Sequence, residues 1–364
     1  MPVLEGSFFA LTFYDVAEQI QADRLREIVG APADRRAPRF KHPAPEYVRF
    51  QVPPVEEYPG PVTLPSGERF ESRLKYFEYG VVCVELELGF ESDWEGLIQL
   101  SSRWIGEPLI EKVSSDLLRS RLERVRAALV QPYGGWLSED YYVIQAVKAL
   151  DDSGAPLTAQ AMLERSRGDI ARIVRGETAT LSDGERDEVL QSCMSYYPSD
   201  LLVAGWTAAF VYDTAESAVA TRQLLEYANT ELLEFRHYDE VLTQVLADVY
   251  KTFEHKRGFL SGWRMGRQAE QLNAMRLEVT ELTERADNAI KFLSDMFYAR
   301  VYRMVSSKVG VADYRLLVED KLKTARELYD SMVDEFRQSR AFILEAMVVA
   351  ILAIELIHLF RSGI

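Results

Sequence analysis

The run GVVCVELEL, Gly80 to Leu88, decides how the first half of the chain folds. Val82, Val84, Leu86 and Leu88 alternate with Cys83, Glu85 and Glu87. A period of two is the signature of a strand with one face buried and the other wet, and Gly89 closes it. Upstream, Arg73 to Tyr79 supplies a neighbouring strand, and Ser7 to Phe13, short and aromatic-rich, supplies another. Asp15 then caps a helical pattern carried by Val16, Ile20, Leu25 and Ile28, so the chain opens β then α.

Between these elements, Ala31 to Pro45 is dense in proline and basic residues, Tyr47 to Val52 reads as a strand, and Pro53 to Gly67 is a loop rich in Pro and Gly. Downstream, Asp93 caps a helix through Trp94, Leu97 and Leu100, and a second helix covers Glu107 to Val130. PYGGW, Pro132 to Trp136, is a turn. A second unit of similar character follows: a strand at Tyr141 to Val147, helices at Ala159 to Val174 and Asp183 to Gln191, and DLLVAGWTAAFVYD, Asp200 to Asp213, as one bent or two short strands. Strands mixed with helices in each half give an α+β class, with two similar halves laid side by side as related sandwiches.

After Asp213 the strand signals stop. Apolar residues recur at helical spacing from Thr214 to Glu254, and KRGFLSGWRMGR, Lys256 to Arg267, breaks the pattern. Leu272, Met275, Val279, Leu282, Ala286, Ala289, Leu293 and Met296 then step by threes and fours, the spacing of a coiled-coil seam. A last helix starts near Val311 and runs through Leu322, Tyr329, Met332 and Phe336 into the apolar end, a rod of roughly 70 Å at helical rise. The expected organisation is an α+β domain over 1–213, long antiparallel helices with a coiled coil over 214–338, and a C-terminal anchor and tail over 339–364.

From Ala341 to Phe360 the chain is long enough to cross a hydrocarbon layer of about 30 Å. Glu345 and Glu355 project about 80° apart on a helix, with His358 close by, so one strip of an otherwise apolar rod is polar. Such a strip suits helices that associate and satisfy one another. The competing reading is the last core helix of a soluble bundle. The flanking Arg337, Arg340 and Arg361 and the all-round apolarity of AMVVAILAI favour a transmembrane helix, with Arg340, Leu344, Glu345, Ile354 and Glu355 forming the anchor. The start, MPVLEGSFFALTFYDVAEQI, lacks a basic n-region, so the expected topology is tail-anchored with the bulk of the chain cytoplasmic.

Val318 to Ile357 resembles the end of the domain-of-unknown-function family typified by the protein required for meiotic nuclear division and its mitochondrial relatives. The matching residues are Lys321, Leu322, Arg340, Leu344, Glu345, Ile354 and Glu355, with Ala346 where that family usually has tryptophan, and the GVV of Gly80 to Val82 is similar to its early strand. The resemblance implies a mixed α/β domain followed by helices and no established reaction. The mitochondrial members are inner-membrane proteins supporting organellar translation. A chain without an Arg-rich, Ser-rich transit segment looks instead like a bacterial member in the plasma membrane.

The totals bound function further. The 364 residues carry a formal charge of −15 and are 48% apolar, enough for an ample core, and the acidic balance argues against a general affinity for nucleic acid. Cys83 and Cys193 lack CxxC spacing and nearby histidines, as expected of buried thiols in a reducing compartment. No GxxxxGK[ST], GxGxxG, HExxH or GxSxG occurs, so no catalytic, cofactor-binding or metal residue is assigned. His237 and Glu240 lie i,i+3 in FRHYDE, but no matching Glu-x-x-His partners exist for a di-metal bundle, and a structural polar cluster is the better reading. Asp200, Asp213 and Glu216 gather near strand ends and are read as caps in preference to a cation site.

Lys256, Arg257, Arg264 and Arg267 surround Trp263 in a loop suited to an anionic partner, such as headgroups, RNA phosphate or an acidic protein, or to a solvated helix bend. The first expectation is a non-enzymatic, tail-anchored scaffold that oligomerises through its helices and presents the α+β domain to protein partners. The alternatives are an enzyme or ligand-binding regulator with its pocket in the α+β domain, and an RNA-associated factor.

Overall fold

The computed structural model describes residues 3–30, 53–151, 153–254 and 296–328, with 274, 275, 277, 279, 280, 330, 348, 349 and 352 besides. It divides into two compact units: Met1–His237 with Leu282–Tyr314, and Tyr238–Glu281 with Arg315–Ile364.

The first unit is built on one mixed sheet. Its strands are β1 (Val3–Asp15), β3 (Val55–Glu57), β4 (Val62–Thr63), β5 (Arg69–Tyr76), β6 (Val81–Ser92), β8 (Ser138–Leu150), β9 (Cys193–Met194), β10 (Leu201–Ala204) and β11 (Ala208–Tyr212). The order is β3-β5-β6-β1-β8-β11-β10-β9, with β4 beside β5. The pairing of β1 with β8, antiparallel over nearly their full lengths, joins the two halves. The mixed α/β reading of this region therefore stands, but two sandwiches side by side give way to a single sheet. The halves also differ in wiring, because β1 pairs antiparallel with β6 whereas β8 pairs parallel with β11. A parallel neighbour needs a long crossover, supplied here by α4 (Ala159–Arg165), α5 (Arg167–Arg175) and α6 (Asp183–Gln191).

One face of the sheet carries Phe8, Ala10, Tyr14, Val82, Val84, Leu86, Tyr142, Ile144 and Phe210. They pack with α1 (Ala22–Val29), α2 (Trp94–Trp104), α3 (Pro108–Val125) and α5 through Leu25, Leu97, Ile98, Leu118, Ile170 and Ile173. Asp93 caps α2 as its sequence predicts, its carboxylate accepting from the Gly96 amide at 2.8 Å. The helix expected from Asp15 starts later. Val16 and Ile20 are buried, but Ala17–Ile20 forms β2, paired with β7 (Leu129–Pro132), and α1 begins only at Ala22. Two apolar residues four apart satisfied a helical period although one precedes and the other ends a short strand.

The opposite face carries Phe9, Leu11, Phe13, Val81, Cys83, Tyr141 and Val143, all buried. The two-stranded alternation in GVVCVELEL is real, yet its polar side is not wet. It lies beneath α7 (Ala215–Glu254), whose first half is rich in buried residues such as Leu224, Leu225, Ala228, Leu232 and Phe235. Phe77 meets the Tyr227 ring edge-on, and Tyr79 and Thr230 share a 2.8 Å hydrogen bond. The helix α8 (Met296–Val309) belongs to the same unit, with the Tyr302 hydroxyl donating to Glu231 at 2.5 Å.

In the second unit, Leu242, Val245, Met275, Val279, Val318 and Ala325 are buried, and Lys321 Nζ meets Asp239 Oδ1 at 2.6 Å and Thr243 Oγ1 at 2.6 Å. Lys321 sits inside a helix over 311–328, not at a helix start. Of the expected seam, Met275 and Val279 are buried and Met296 is exposed; its remaining positions lie outside the described residues.

The expected C-terminal transmembrane helix is corrected. Among the described residues no helix is long and apolar enough to cross a membrane. The longest, α7, carries Glu226, Glu231, Glu234, Arg236, Asp239 and Asp248 among its apolar residues, a charge density that a lipid-facing span does not sustain. The proposed anchor residues Arg340, Leu344, Glu345, Ile354 and Glu355 lie outside the described residues, as do the strand at Tyr47 to Val52 and the loop residues Lys256, Arg257, Arg264 and Arg267.

Gly80 closes the β5–β6 turn at a φ of 96°, and a Cβ there would stand 1.7 Å from the Ala17 carbonyl oxygen. Only glycine fits both the backbone and the space. Gly80→Ala is expected to destabilise the protein by at least about 2 kcal/mol, seen as a loss of roughly 4–8 °C in thermal unfolding, whereas Gly134→Ala, with open space around it, leaves the transition in place.

Candidate functional site

The centre of the second sheet face is charged. Lys75 on β5 and Glu85 on β6 are 4% and 1% exposed, and Glu226 on α7 is 2% exposed. Strand alternation places Lys75 and Glu85 beneath the helix that carries Glu226. Lys75 Nζ donates to Glu85 Oε2 at 2.7 Å and to Glu226 Oε1 at 2.5 Å. Arg73 Nε lies 3.6 Å from Glu85, and Arg222 Nε, one turn before Glu226 on α7, lies 3.8 Å from Glu85 as well. Buried charge is tolerated only when paired and hydrogen-bonded, and here the partners come from three elements, β5, β6 and α7.

Burial alone would depress the Lys75 ammonium, but Glu226 and Glu85 hold it above its ordinary value. Burial works against ionised Glu85 as well, yet Lys75, Arg222 and Arg73 outweigh it and bring its carboxyl down to about 2. Glu226 is displaced upward, because its burial and the neighbouring Glu85 exceed the pull of Lys75. Cys83, on the same face, is pushed far up by burial and then by Glu226. Burial of this kind disfavours the thiolate.

Beside this network the sheet and the start of α7 enclose an open cavity of about 350 Å³. Its walls include Ser7, Phe9, Glu87, Gln145, Val147 and Arg222. Arg222 is fixed from three sides: Nη1 donates to Gln145 Oε1 at 2.7 Å, Nε faces Glu85, and the guanidinium lies 4.0 Å over the Phe9 ring. Ser7 Oγ donates to Glu87 Oε1 at 2.7 Å. At Gly6, another lining residue, the β1–β8 register shifts, and a Cβ there would meet the Gln145 carbonyl oxygen at 1.9 Å. Such bulges re-aim side chains, and this one turns the start of β1 at the cavity.

The residues singled out from sequence fall elsewhere. Asp200 accepts from the backbone amides of Tyr196 at 2.7 Å and Tyr197 at 3.1 Å, a turn role, and Asp213 accepts from the amide of Thr214 at 2.8 Å, while Thr214 itself caps α7 by accepting from the Ser217 amide at 3.3 Å. They line one cavity of about 10 Å³, room for a single water molecule. His237 has a partner far from its own helix. Its Nδ1 lies 2.7 Å from Asp15 Oδ2 at the end of β1, and its ring stacks on Tyr133 at 5.0 Å. Burial raises the Asp15 carboxyl, opposed by its hydrogen bond to His237. Among the described residues no group of three or more His, Cys, Asp or Glu is placed to hold a metal ion.

Sequence reasoning missed Lys75, Glu85, Gln145, Arg222 and Glu226. A signal was present: Arg222 and Glu226, i,i+4 in an otherwise apolar run, mark a charged stripe on a helix face that must be covered, and Lys75 and Glu85 offer the matching charges.

Known proteins bear on this arrangement. A model of the N-terminal domain of the uncharacterized protein MJ0711 matches residues 5–218. The chain belongs to that family. Its matched span takes in the whole sheet and the start of α7, and includes Ser7, Lys75, Glu85, Glu87 and Gln145, whereas Arg222, Glu226 and His237 lie beyond it. The chain is similar to the uncharacterized protein MJ0711 of Methanocaldococcus jannaschii, 18% identical over 197 residues. That alignment covers 54% of this chain and 60% of the relative, so the match spans about three fifths of the relative's length. No solved structure matches. These matches place the chain in the MJ0711 family and carry no link to the meiotic-division family that the C-terminal residues resemble.

Removing one partner from a buried ion cluster leaves the others uncompensated, so Lys75→Met is expected to cost about 3–5 kcal/mol, measured by urea unfolding. The double variant Lys75→Met/Glu226→Gln is expected to cost less than the sum of the two single changes. Because the folded Glu85 carboxyl is depressed from 4.5 to about 2, its contribution is complete above about pH 4.5 and is lost as pH falls toward 2. The stability gap between the native chain and Glu85→Gln is therefore expected to narrow over that window, with Glu226, displaced in the opposite direction, offsetting part of the effect.

Proposed function

We propose that the unit formed by Met1–His237 with Leu282–Tyr314 is a non-catalytic, ligand-binding regulator whose ligand sits in the open cavity against Arg222. The observation that carries this reading is the cavity itself: about 350 Å³, within the range of small-molecule sites, with a few polar groups converging on it. The character of those groups supports binding in preference to reaction. The Arg222 guanidinium is held by Gln145, Glu85 and the Phe9 ring, the Ser7 hydroxyl is spent on Glu87, and the neighbouring Lys75 ammonium is bound between two carboxylates. Fixed donors and acceptors recognise a ligand well, because little ordering is required when it arrives. The anchor residues on which the expected scaffold role rests lie outside the described ones.

A thermal-shift screen of the full chain against a library of small metabolites tests the proposal. At least one compound is expected to raise the unfolding temperature, and Val147→Trp, which fills the cavity from a half-buried strand position, is expected to abolish that shift while leaving the ligand-free transition unchanged. A library without a single stabilising compound, or compounds that stabilise Val147→Trp equally, would overturn it.

A further inference from the structure

We infer that the ligand of this cavity is a small zwitterion, a molecule carrying a carboxylate and an ammonium group, of the amino-acid class. This rests on the cavity being a ligand site. The inference follows from how charge is divided across the cavity walls.

On one side stands Arg222. Its Nη1 is committed to Gln145 and its Nε faces Glu85, so the Nη2 corner is the part of the guanidinium that these contacts leave to the cavity. A guanidinium held flat on Phe9 presents its donors in a fixed plane, the geometry that carboxylates match. Ala215, at the start of α7, lines the same side, and the amino-terminal end of a helix adds partial positive charge.

On the other side stand acceptors. Glu87 uses Oε1 to receive the Ser7 hydroxyl, which orients the carboxylate and leaves Oε2 for a second donor. Glu5 lines the cavity too, with Lys148 at 3.5 Å as a half-exposed partner that screens it only weakly. The separation follows from the sheet: Glu87 on β6 faces Phe9 and Gln145, Arg222's partner on β8, faces Ser7, so they flank β1 from opposite sides, two strand spacings across and two residues along, about 12 Å apart at the backbone.

A simple anion would meet Arg222 but also Glu87, Glu5 and the field of a chain with a net charge of −15. A simple cation would satisfy Glu87 and Glu5 but lie against Arg222. A zwitterion satisfies both walls, and its net neutrality suits a cavity of mixed sign.

Isothermal titration of the full chain with glycine, L-alanine, 4-aminobutyrate and L-lysine, beside succinate as a pure anion and putrescine as a pure cation, tests the assignment. At least one amino acid is expected to bind, with succinate and putrescine at least tenfold weaker. Glu87→Gln, at a partly exposed position, is expected to weaken that amino acid at least tenfold with the unfolding temperature little changed, and Arg222→Lys to weaken it comparably. Binding of succinate or putrescine as tight as any amino acid, sensitive to Val147→Trp, would overturn the zwitterion while keeping the cavity as a binding site. An amino acid that binds regardless of Glu87→Gln and Val147→Trp would place it outside this cavity and overturn the assignment. Absence of binding by every probe overturns it as well, and the metabolite screen then shows whether the cavity binds a ligand of another class.

Discussion

The Lys75 ammonium held between Glu85 and Glu226 is the constraint on which the first unit depends. Two of these groups come from adjacent strands and the third from a helix about 140 residues later in the chain. None of them tolerates burial alone. Once α7 covers the sheet, its rotation is restricted, because only one helical face brings Glu226 to Lys75 and Arg222 to Gln145. Hydrophobic packing of Leu224, Leu225 and Leu232 supplies attraction without direction. The ion cluster supplies the direction. Substituting apolar residues throughout such a cluster can leave stability unchanged or higher, so its value here lies in placement.

That placement is what creates the cavity. With Glu226 bound to Lys75, Arg222 falls one turn earlier, over Phe9, near the end of β1 where the register with β8 shifts at Gly6. The same residues thus serve the fold and the proposed site. Their distribution across the family span is uneven: the strand contributions lie within residues 5–218, and the helix contributions lie just past it.

Much of the first unit was legible in the sequence. The strands around Ser7 to Phe13, Gly80 to Leu88 and Tyr141 to Val147, the Asp93 cap and the bounds of α6 follow from local periodicity and capping chemistry, which act over a few residues. Three things were not legible, each for a non-local reason. A period of two reveals that a strand has two faces but not whether the polar one is wet, and Glu85 is buried because a distant helix supplies its partners. The joining of both halves into one sheet depends on the β1–β8 pairing, across more than 120 residues. His237 lies beside Asp15, a partner far away in the chain that helical spacing cannot name. The terminal apolar run shows the opposite hazard: length and hydrophobicity favoured a membrane span, and no helix among the described residues meets that requirement.

Cys83 reports most directly on whether the second face is covered, since it lies fully buried on that face, paired across the strands with Lys75. Its labelling by a small thiol reagent, in a Cys193→Ser background, measures how often that face meets solvent. The account predicts labelling no faster than global unfolding and accelerated in step with added urea. Prompt, urea-independent labelling of the native protein would show that α7 does not cover the sheet, and both the ion cluster and the cavity beside it would fall.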